Sequence, residues 1–285
     1  MKQYELINEG KNRLMTKGVP DADTDAVLLW LFCSGISRTD YILNRDDEVK
    51  EEKTNEFFSL IDKRCERIPL QYITGKQCFM GFDFNTSENV LIPRFDTETL
   101  VEQVDIFIKN KFGGKTVNVL DMCCGSGCIG ISVKLMNENA RVDLSDISDY
   151  AIELTKKNAI ELHADCNIIK SDLFEKINGK YDIIISNPPY IESHVIEELM
   201  PEVRDHEPLM ALDGDVDGLK FYKQIILDAE KFLNENGYIF FEIGNNQAHD
   251  VEQLLVDNHF TDIHVVKDLC KNNRVIYGGL SCLTN

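Results

Sequence analysis

The chain has 285 residues, 43% of them hydrophobic, and a formal net charge of −19 at neutral pH, enough apolar content for one large or two modest packed domains of a soluble protein. No apolar run reaches the roughly 20 residues of a membrane span, the longest being Ala26–Cys33, and the N-terminus lacks the basic and apolar regions of a signal peptide, so cytoplasm is the expected compartment. The charge is uneven: residues 1–85 hold 12 Lys+Arg against 15 Asp+Glu and the other 200 hold 18 against 34, so most of the surface repels phosphate backbones and, short of a local basic patch, free nucleic acid is a poor substrate.

Periodicity predicts helices over about Tyr4–Lys17, Asp23–Ser34 and Val49–Glu66, with Gly35 and Pro69 as stops. Phe57, Phe58, Ile61 and Cys65 recur at helical spacing in the third. These stripes must bury against one another, which predicts a helical domain over 1–74. Between Pro69 and Asp96 the texture alternates, with Gln71-Tyr-Ile-Thr-Gly75, Phe79-Met-Gly-Phe-Asp-Phe84 and Val90-Leu-Ile-Pro-Arg94. This reads as a β-hairpin linker, over 75–95. From Thr97 an amphipathic helix runs to Gly113-Gly114. Strands at Thr116–Met122, Arg141–Asp146, Asn167–Ser171 and Tyr181–Ser186 then alternate with helices at Cys128–Asn137 and Ala151–Leu162. A helix at Leu219–Asn234, a strand at Tyr238–Ile243, a helix at Gln247–Asn258 and strands at Ile263–Lys267 and Arg274–Gly278 complete an α/β pattern over 96–285. Such alternation means a doubly wound, mostly parallel sheet of Rossmann-like type, here with seven strands. The nine cysteines, at 33, 65, 78, 123, 124, 128, 166, 270 and 282, form no CxxC pair and have no His at zinc spacing. They read as reduced, mostly buried thiols, and no metal site is expected.

The stretch Tyr181-Asp-Ile-Ile-Ile-Ser-Asn-Pro-Pro-Tyr190 carries the chemistry. Ile183, Ile184 and Ile185 do not alternate, as in a central strand covered on both faces. Pro188 and Pro189 then remove two donors and hold Asn187 and Pro188 outside the helical region. An Asn oxygen, the Pro188 carbonyl and the Tyr190 ring converge at a strand's C-terminal end, where open α/β sheets bind ligands. The cluster suits a planar –NH2 group. Two acceptors orient such a nitrogen and favour positive charge developing on it, which its delocalised lone pair otherwise resists. A proline-terminated strand with an Asn cap is the plainer alternative. The first sheet strand ends in Asp121-Met-Cys-Cys-Gly-Ser-Gly-Cys128, whose Gly125 and Gly127 admit close backbone approach. The second ends in Asp146, spaced as a ribose carboxylate, and the third in Ser171-Asp172-Leu173, where an adenine would lie. With no long phosphate-binding glycine loop, a nucleoside without phosphates fits better than a dinucleotide.

Taken together these segments resemble the class I S-adenosylmethionine-dependent methyltransferases, and specifically the release factor glutamine methyltransferases (HemK/PrmC-like), which methylate the glutamine amide in the Gly-Gly-Gln loop of class 1 peptide chain release factors. The resemblance spans essentially the whole chain. It is carried by Pro69-Leu-Gln-Tyr-Ile-Thr-Gly75, Leu91-Ile-Pro-Arg-Phe-Asp-Thr-Glu98, Asn187-Pro-Pro-Tyr-Ile191, Glu207-Pro208, Asp217-Gly218-Leu219, Glu242-Ile-Gly244 and Lys267-Asp-Leu269 with Arg274. It implies a cofactor loop of Cys123, Cys124, Gly125, Ser126 and Gly127, a ribose carboxylate at Asp146, adenine contacts at Asp172 and Leu173, and an amide-binding group of Asn187, Pro188, Pro189 and Tyr190. Of these, Asn187, Pro188 and Tyr190 are the expected catalytic residues, and Asn187 also touches the cofactor. The resemblance further implies an N-terminal helical domain that grips the release factor, in accord with the nearly neutral first segment, and no direct contact with nucleic acid or membrane. The family commonly has Gly at position 123 and Pro at position 95, where this chain has Cys123 and Phe95. A Cys is strained at positive φ, so a permissive backbone and weaker cofactor binding are expected there.

The implied reaction is a direct displacement, since the sulfonium methyl is already activated and the protein need supply only alignment, desolvation and acceptors. No general base stands out, and the proton is expected to leave after transfer. Rival readings are glutamine methylation of a ribosomal protein, adenine amino methylation of DNA or RNA, and a cofactor-binding scaffold without activity. Acidity and the lack of a basic, aromatic-rich recognition segment weigh against nucleic acid, and the intact Asn187–Tyr190 group weighs against the scaffold.

Overall fold

The computed structural model describes residues 1–280, which form two compact units. One comprises Met1–Lys76 together with Met200–His206. Its helices are α1 (Gln3–Thr16), α2 (Ala22–Ser34), α3 (Arg38–Leu43), α4 (Glu51–Cys65) and α5 (Leu70–Thr74). The apolar stripes bury as their spacing requires: Leu6, Leu14, Ala26, Leu29, Phe57 and Ile61 are inaccessible to solvent. Gly10 lets α1 and α4 close, because a Cβ there would lie 2.7 Å from the Phe57 ring. The polar exceptions are paired. Trp30 Nε1 donates to Gln3 Oε1 at 2.8 Å, and Arg64, 5% exposed, donates to Asp25 at 2.7 Å and to Glu202 at 2.9 Å. Arg67 also grips Glu202 with two nitrogens. A buried ion pair of this kind is costly to break, since removing one partner strands the other's charge.

The second unit, residues 77–199 and 207–280 of the described chain, opens with a hairpin, β1 (Lys76–Phe79) and β2 (Phe82–Asn85). Met80 and Gly81 at its tip have φ of 52° and 80°, the positive pair that a tight hairpin turn demands. Phe79 and Phe84 bury their rings from the hairpin. The chain then runs through α6 (Glu98–Phe112), β3 (Val117–Met122), α7 (Cys128–Met136), β4 (Ala140–Asp146), α8 (Asp149–Glu161), β5 (Asn167–Lys170) and β6 (Tyr181–Ser186). After the short α9 (Pro201–Arg204), which belongs to the helical unit, come α10 (Lys220–Phe232), β7 (Leu233–Glu242), α11 (Ala248–Asp257), β8 (Phe260–Lys267) and β9 (Asn273–Leu280).

The seven strands β3–β9 form one sheet in the order β5-β4-β3-β6-β7-β9-β8. All pairs from β5 to β7 are parallel, and β9 is antiparallel to both its neighbours. This is the doubly wound, mostly parallel sheet expected from the alternation of elements. Consecutive residues of the central strands feed opposite faces. Val119, Ile183, Ile185 and Phe240 join one core with α6 and α7, while Leu120, Ile184, Ile239 and Phe241 join another with α10 and α11. The unalternating Ile183–Ile185 run is thus buried on both sides. The strand order reverses between β3 and β6, so their C-terminal ends leave a crevice between diverging connections.

Several local expectations are corrected. Gln71–Gly75 is not part of a hairpin but the one-turn helix α5, because Pro69 starts it and Gly75, at φ 74°, closes it. Val90–Arg94 forms no strand. The helix placed over Leu219–Asn234 ends at Phe232, and β7 begins at Leu233, five residues before the predicted strand. The extra segment pairs Leu233 with Tyr181, and the register slips before Ile183, where Asn236 takes a left-handed φ of 59°. The cysteines are free but not mostly buried: Cys33, Cys124 and Cys128 are, Cys65, Cys123 and Cys166 are half-buried, and Cys78 and Cys270 are exposed. Cys282 lies outside the described residues. No helix among the described residues is long and apolar enough to cross a membrane.

Candidate active site

A cavity of about 320 Å³ opens at the C-terminal ends of β3, β4, β5 and β6. From the β3 turn it is lined by Cys123, Cys124, Gly125 and Ser126; from β4 by Asp146; after β5 by Asp172 and Leu173; after β6 by Asn187 and Pro189. These nine expected residues share one wall. Gly127, Pro188 and Tyr190 do not line the cavity. Gly127 instead caps α7 at φ 80°, packed so tightly that a Cβ would stand 2.8 Å from Thr155 Cγ2.

The β3 turn is held by bonds from its neighbours. Cys124 N–H donates to the Ser145 carbonyl at 3.0 Å, and Gly125 N–H donates to Asp146 Oδ2 at 2.9 Å. Ser148 N–H takes the other Asp146 oxygen, also at 2.9 Å. Burial raises the Asp146 pKa, and these backbone donors oppose the rise. A carboxylate has about four acceptor positions, so both oxygens retain capacity for further donors from the cavity. Cys123 has φ of 60°, so the expected permissive backbone is not found. The left-handed geometry is imposed by the turn, and a side chain stands where glycine would be relaxed. Burial pushes the Cys123 and Cys124 thiols well up and Cys128 to about 12, so none of the three is a thiolate at neutral pH.

At the end of β6, Ser186 Oγ donates to the Met122 carbonyl at 2.8 Å, tying this strand end to that of β3. Asn187 Nδ2 is turned toward Thr97 Oγ1 at 3.5 Å, a use of the amide nitrogen and not of its oxygen. Tyr190 is not among the residues that line the cavity. Its hydroxyl donates to Glu242 Oε1 at 3.3 Å, and its carbonyl accepts from Gln247 Nε2 at 3.0 Å. The hydroxyl and the carbonyl therefore tie the loop to Glu242 and Gln247.

Two buried carboxyls stand near this wall that the sequence reading assigned no role. Asp121 is fully buried, accepts from Gly130 N–H at 2.8 Å through Oδ2, and has no partner for Oδ1. Burial lifts its pKa to about 7. Glu242, 2% exposed, has no partner for Oε2 and is likewise raised to about 7 by burial, against the pull of Thr97, Arg274 and Tyr190. A signal was present for the second: a glutamate ends the otherwise apolar run Tyr238–Phe241. Arg94 and the buried Glu207 form a further pair beside the cavity. Among the described residues no cluster of three or more His, Cys, Asp or Glu side chains is placed to hold a metal ion.

Comparison with known proteins bears on both units. The Methyltransferase small domain family matches residues 95–203, and the PrmC N-terminal domain family matches residues 5–75. The Release factor glutamine methyltransferase of Clostridium botulinum is 40% identical, covering 95% of this chain and 97% of its own length. That of Clostridium acetobutylicum is 39% identical, covering 98% of each. Among solved structures, the hMettl16 catalytic domain in complex with MAT2A 3'UTR hairpin 6 has a TM-score of 0.57 at 13% identity, covering 87% of this chain and 98% of that one; this likeness is one of fold. With relatives this similar along almost its entire length, the chain belongs to the release factor glutamine methyltransferase family.

Proposed function

We propose that the chain transfers a methyl group from S-adenosylmethionine to the side-chain amide nitrogen, N5, of the glutamine in the Gly-Gly-Gln loop of class 1 peptide chain release factors. The observation that carries this reading is the shared cavity. Asn187 and Pro189 open on the same space as Cys123–Ser126, Asp146 and Asp172, in a chain 40% identical to a curated release factor glutamine methyltransferase. The residues present fit the cofactor. The cavity volume is within the range of small-molecule sites, the glycine turn brings backbone to the ligand, and Asp146 keeps acceptor capacity for two ribose hydroxyls. When bound, the cofactor supplies an already activated methyl group. The Asn187 side chain accepts an amide hydrogen and orients the nitrogen, and the same acceptor favours the charge that develops on it. The surrounding wall of Leu91, Ile92 and Leu173 excludes water. The amide proton leaves once the nitrogen is positively charged and acidic; a loss of rate on replacing one specific Asp or Glu, with binding intact and in Brønsted fashion, would count against that order of events.

In the same reading, residues 1–74 bind the release factor, 75–95 link, and 96–285 bind the cofactor, in the cytoplasm and without nucleic acid. The test is methyl transfer from labelled S-adenosylmethionine to a purified release factor, scored by peptide mass at the Gly-Gly-Gln loop, with a ribosomal protein and DNA as parallel acceptors. One added methyl on that glutamine is expected. Label confined to DNA or to the ribosomal protein would overturn the substrate.

A further inference from the structure

Among the described residues, the cavity lining holds two cations, Arg94 and Lys220, beside the carboxyls of Asp146 and Asp172. Arg94 ends the stretch Asn89–Arg94, every residue of which lines the cavity, and the stretch is tied down on both sides. Val90 is buried, packs with Ala151 and Leu154 of α8, and places Cγ1 3.8 Å from where a Cβ on Gly125 would lie. Thr97, whose N–H donates to the Arg94 carbonyl at 3.1 Å, meets Asn187 Nδ2 at 3.5 Å. The chain thus passes from the β3 turn to the end of β6, and Arg94 comes at the β6 end.

A buried acid holds the guanidinium in that place. Arg94 Nη2 donates to Glu207 Oε1, and the Glu207 side chain is 1% exposed with no partner for Oε2. An ion pair with a partner buried this deeply adds little stability of its own. What it does supply is a fixed position for Arg94. A guanidinium carries five N–H donors in a planar fork. Among the described residues Glu207 is the one hydrogen-bond partner of the Arg94 side chain, which remains 39% exposed, so donors are left for an anion in the cavity. Lys220 is a different kind of cation: its Nζ lies 3.4 Å from Asp215 Oδ2, both side chains are half-exposed, and a solvated ammonium on a flexible stem has no fork to offer.

In the reading above, the nucleoside of S-adenosylmethionine lies over the ends of β5 and β4, at Asp172 and Asp146, and its methyl group meets the substrate at Asn187 beyond β6. The strand order β5-β4-β3-β6 then carries the cofactor's amino-acid end past the β3 turn toward Arg94. That end bears a carboxylate, which is costly to take out of water without a partner. We propose that Arg94, positioned by Glu207, binds the α-carboxylate of the methionyl end of S-adenosylmethionine. The inference rests on the cofactor reading and adds to it a residue outside the glycine turn and the strand-end acids. The carboxylate takes no part in methyl transfer, so its bond to Arg94 is the same before and during the reaction. Loss of Arg94 therefore raises the KM for the cofactor and leaves kcat in place.

The experiment is calorimetry on the full chain with S-adenosylmethionine and with its decarboxylated form, which lacks that carboxylate alone. Wild type is expected to bind the decarboxylated form on the order of 10- to 10²-fold more weakly. In Arg94→Gln the two affinities are expected to converge, because S-adenosylmethionine loses its advantage, whereas Lys220→Gln is expected to keep the wild-type ratio. Equal affinities in the wild type overturn the proposal without reference to any variant, and leave the cofactor reading standing. A ratio that survives in Arg94→Gln, as it would if Arg94 only supported the fold and both ligands weakened alike, also overturns it, as does a ratio that collapses in Lys220→Gln instead. A wild-type protein that binds neither ligand rejects the cofactor reading itself, and the role of Arg94 with it.

Discussion

The cavity is walled by two strand ends that acquire their shapes in opposite ways. The β3 turn, Cys123–Gly127, is permitted by glycine: Gly125 and Gly127 have φ of 55° and 80°, Cys123 shares the left-handed region at 60°, and Asp146 and Ser145 hold the turn from outside. The β6 end, Asn187–Tyr190, contains no positive φ and is imposed by two prolines, whose rings leave little to be fixed by neighbours. A permitted turn depends on external ties, so damage there appears as lost stability or affinity. An imposed turn is already fixed, so damage there appears in the chemistry of the side chains it carries.

Asn187→Ala gives the widest separation. It deletes an amide acceptor from a rigid loop, so kcat for release factor methylation is expected to fall on the order of 10²- to 10³-fold while the denaturant midpoint stays near wild type; a normal kcat breaks the comparison at once. On the other side, Asp146→Ala removes a charged acceptor that also holds Gly125, and calorimetric affinity for S-adenosylmethionine is expected to weaken by about 1.5 to 3 kcal/mol. Gly127→Ala adds a methyl 2.8 Å from Thr155 at a left-handed φ, and chemical unfolding is expected to show a loss of about 2 to 4 kcal/mol. If the protein tolerates it, the turn is less constrained than its packing implies. Asp121, at the root of the same turn, titrates near 7 in the folded protein against an ordinary value near 4. Its folded pKa is raised, so the stability it contributes is present below about pH 4 and lost as pH rises to about 7. Stability is expected to drop by on the order of 4 kcal/mol between those values, and Asp121→Asn removes that part of the slope in paired unfolding curves. The smallest effect sharpens the contrast: Cys123→Gly relieves a left-handed side chain and is expected to stabilise by roughly 1 kcal/mol.

The sheet was legible because burial on both faces leaves a signature that does not depend on partners. Ile183–Ile185 could only be a covered central strand, and the strands that end at Met122, Asp146 and Ser186 could be aligned from their spacing alone. The cavity residues followed, since successive strand ends of a parallel sheet lie side by side. What spacing cannot convey is which way a side chain turns. Tyr190 follows Asn187 by three residues, yet its hydroxyl is held by Glu242, 52 positions later. Thr97 and Glu242 lie inside segments that carry the resemblance, yet spacing does not show that Thr97 faces Asn187 or that Glu242 faces Tyr190. Cys123 was misjudged for a related reason: backbone conformation there is set by the ties to Asp146 and Ser145, which override the preference of the residue itself.

The helical unit is completed by a piece of chain that is made late. Glu202, which neutralises Arg64 and Arg67, lies 135 residues beyond Arg67. A ribosome adding about 5–20 residues per second needs on the order of ten seconds to cover that distance. Throughout it α1–α4 are already synthesised, while Arg64, buried in the finished protein, has Asp25 as the one carboxylate of its final pair. The helical unit is therefore left in a charged, incompletely satisfied state during translation, and it reaches its full set of ion pairs only after the Asn187-Pro-Pro-Tyr190 motif has itself been made.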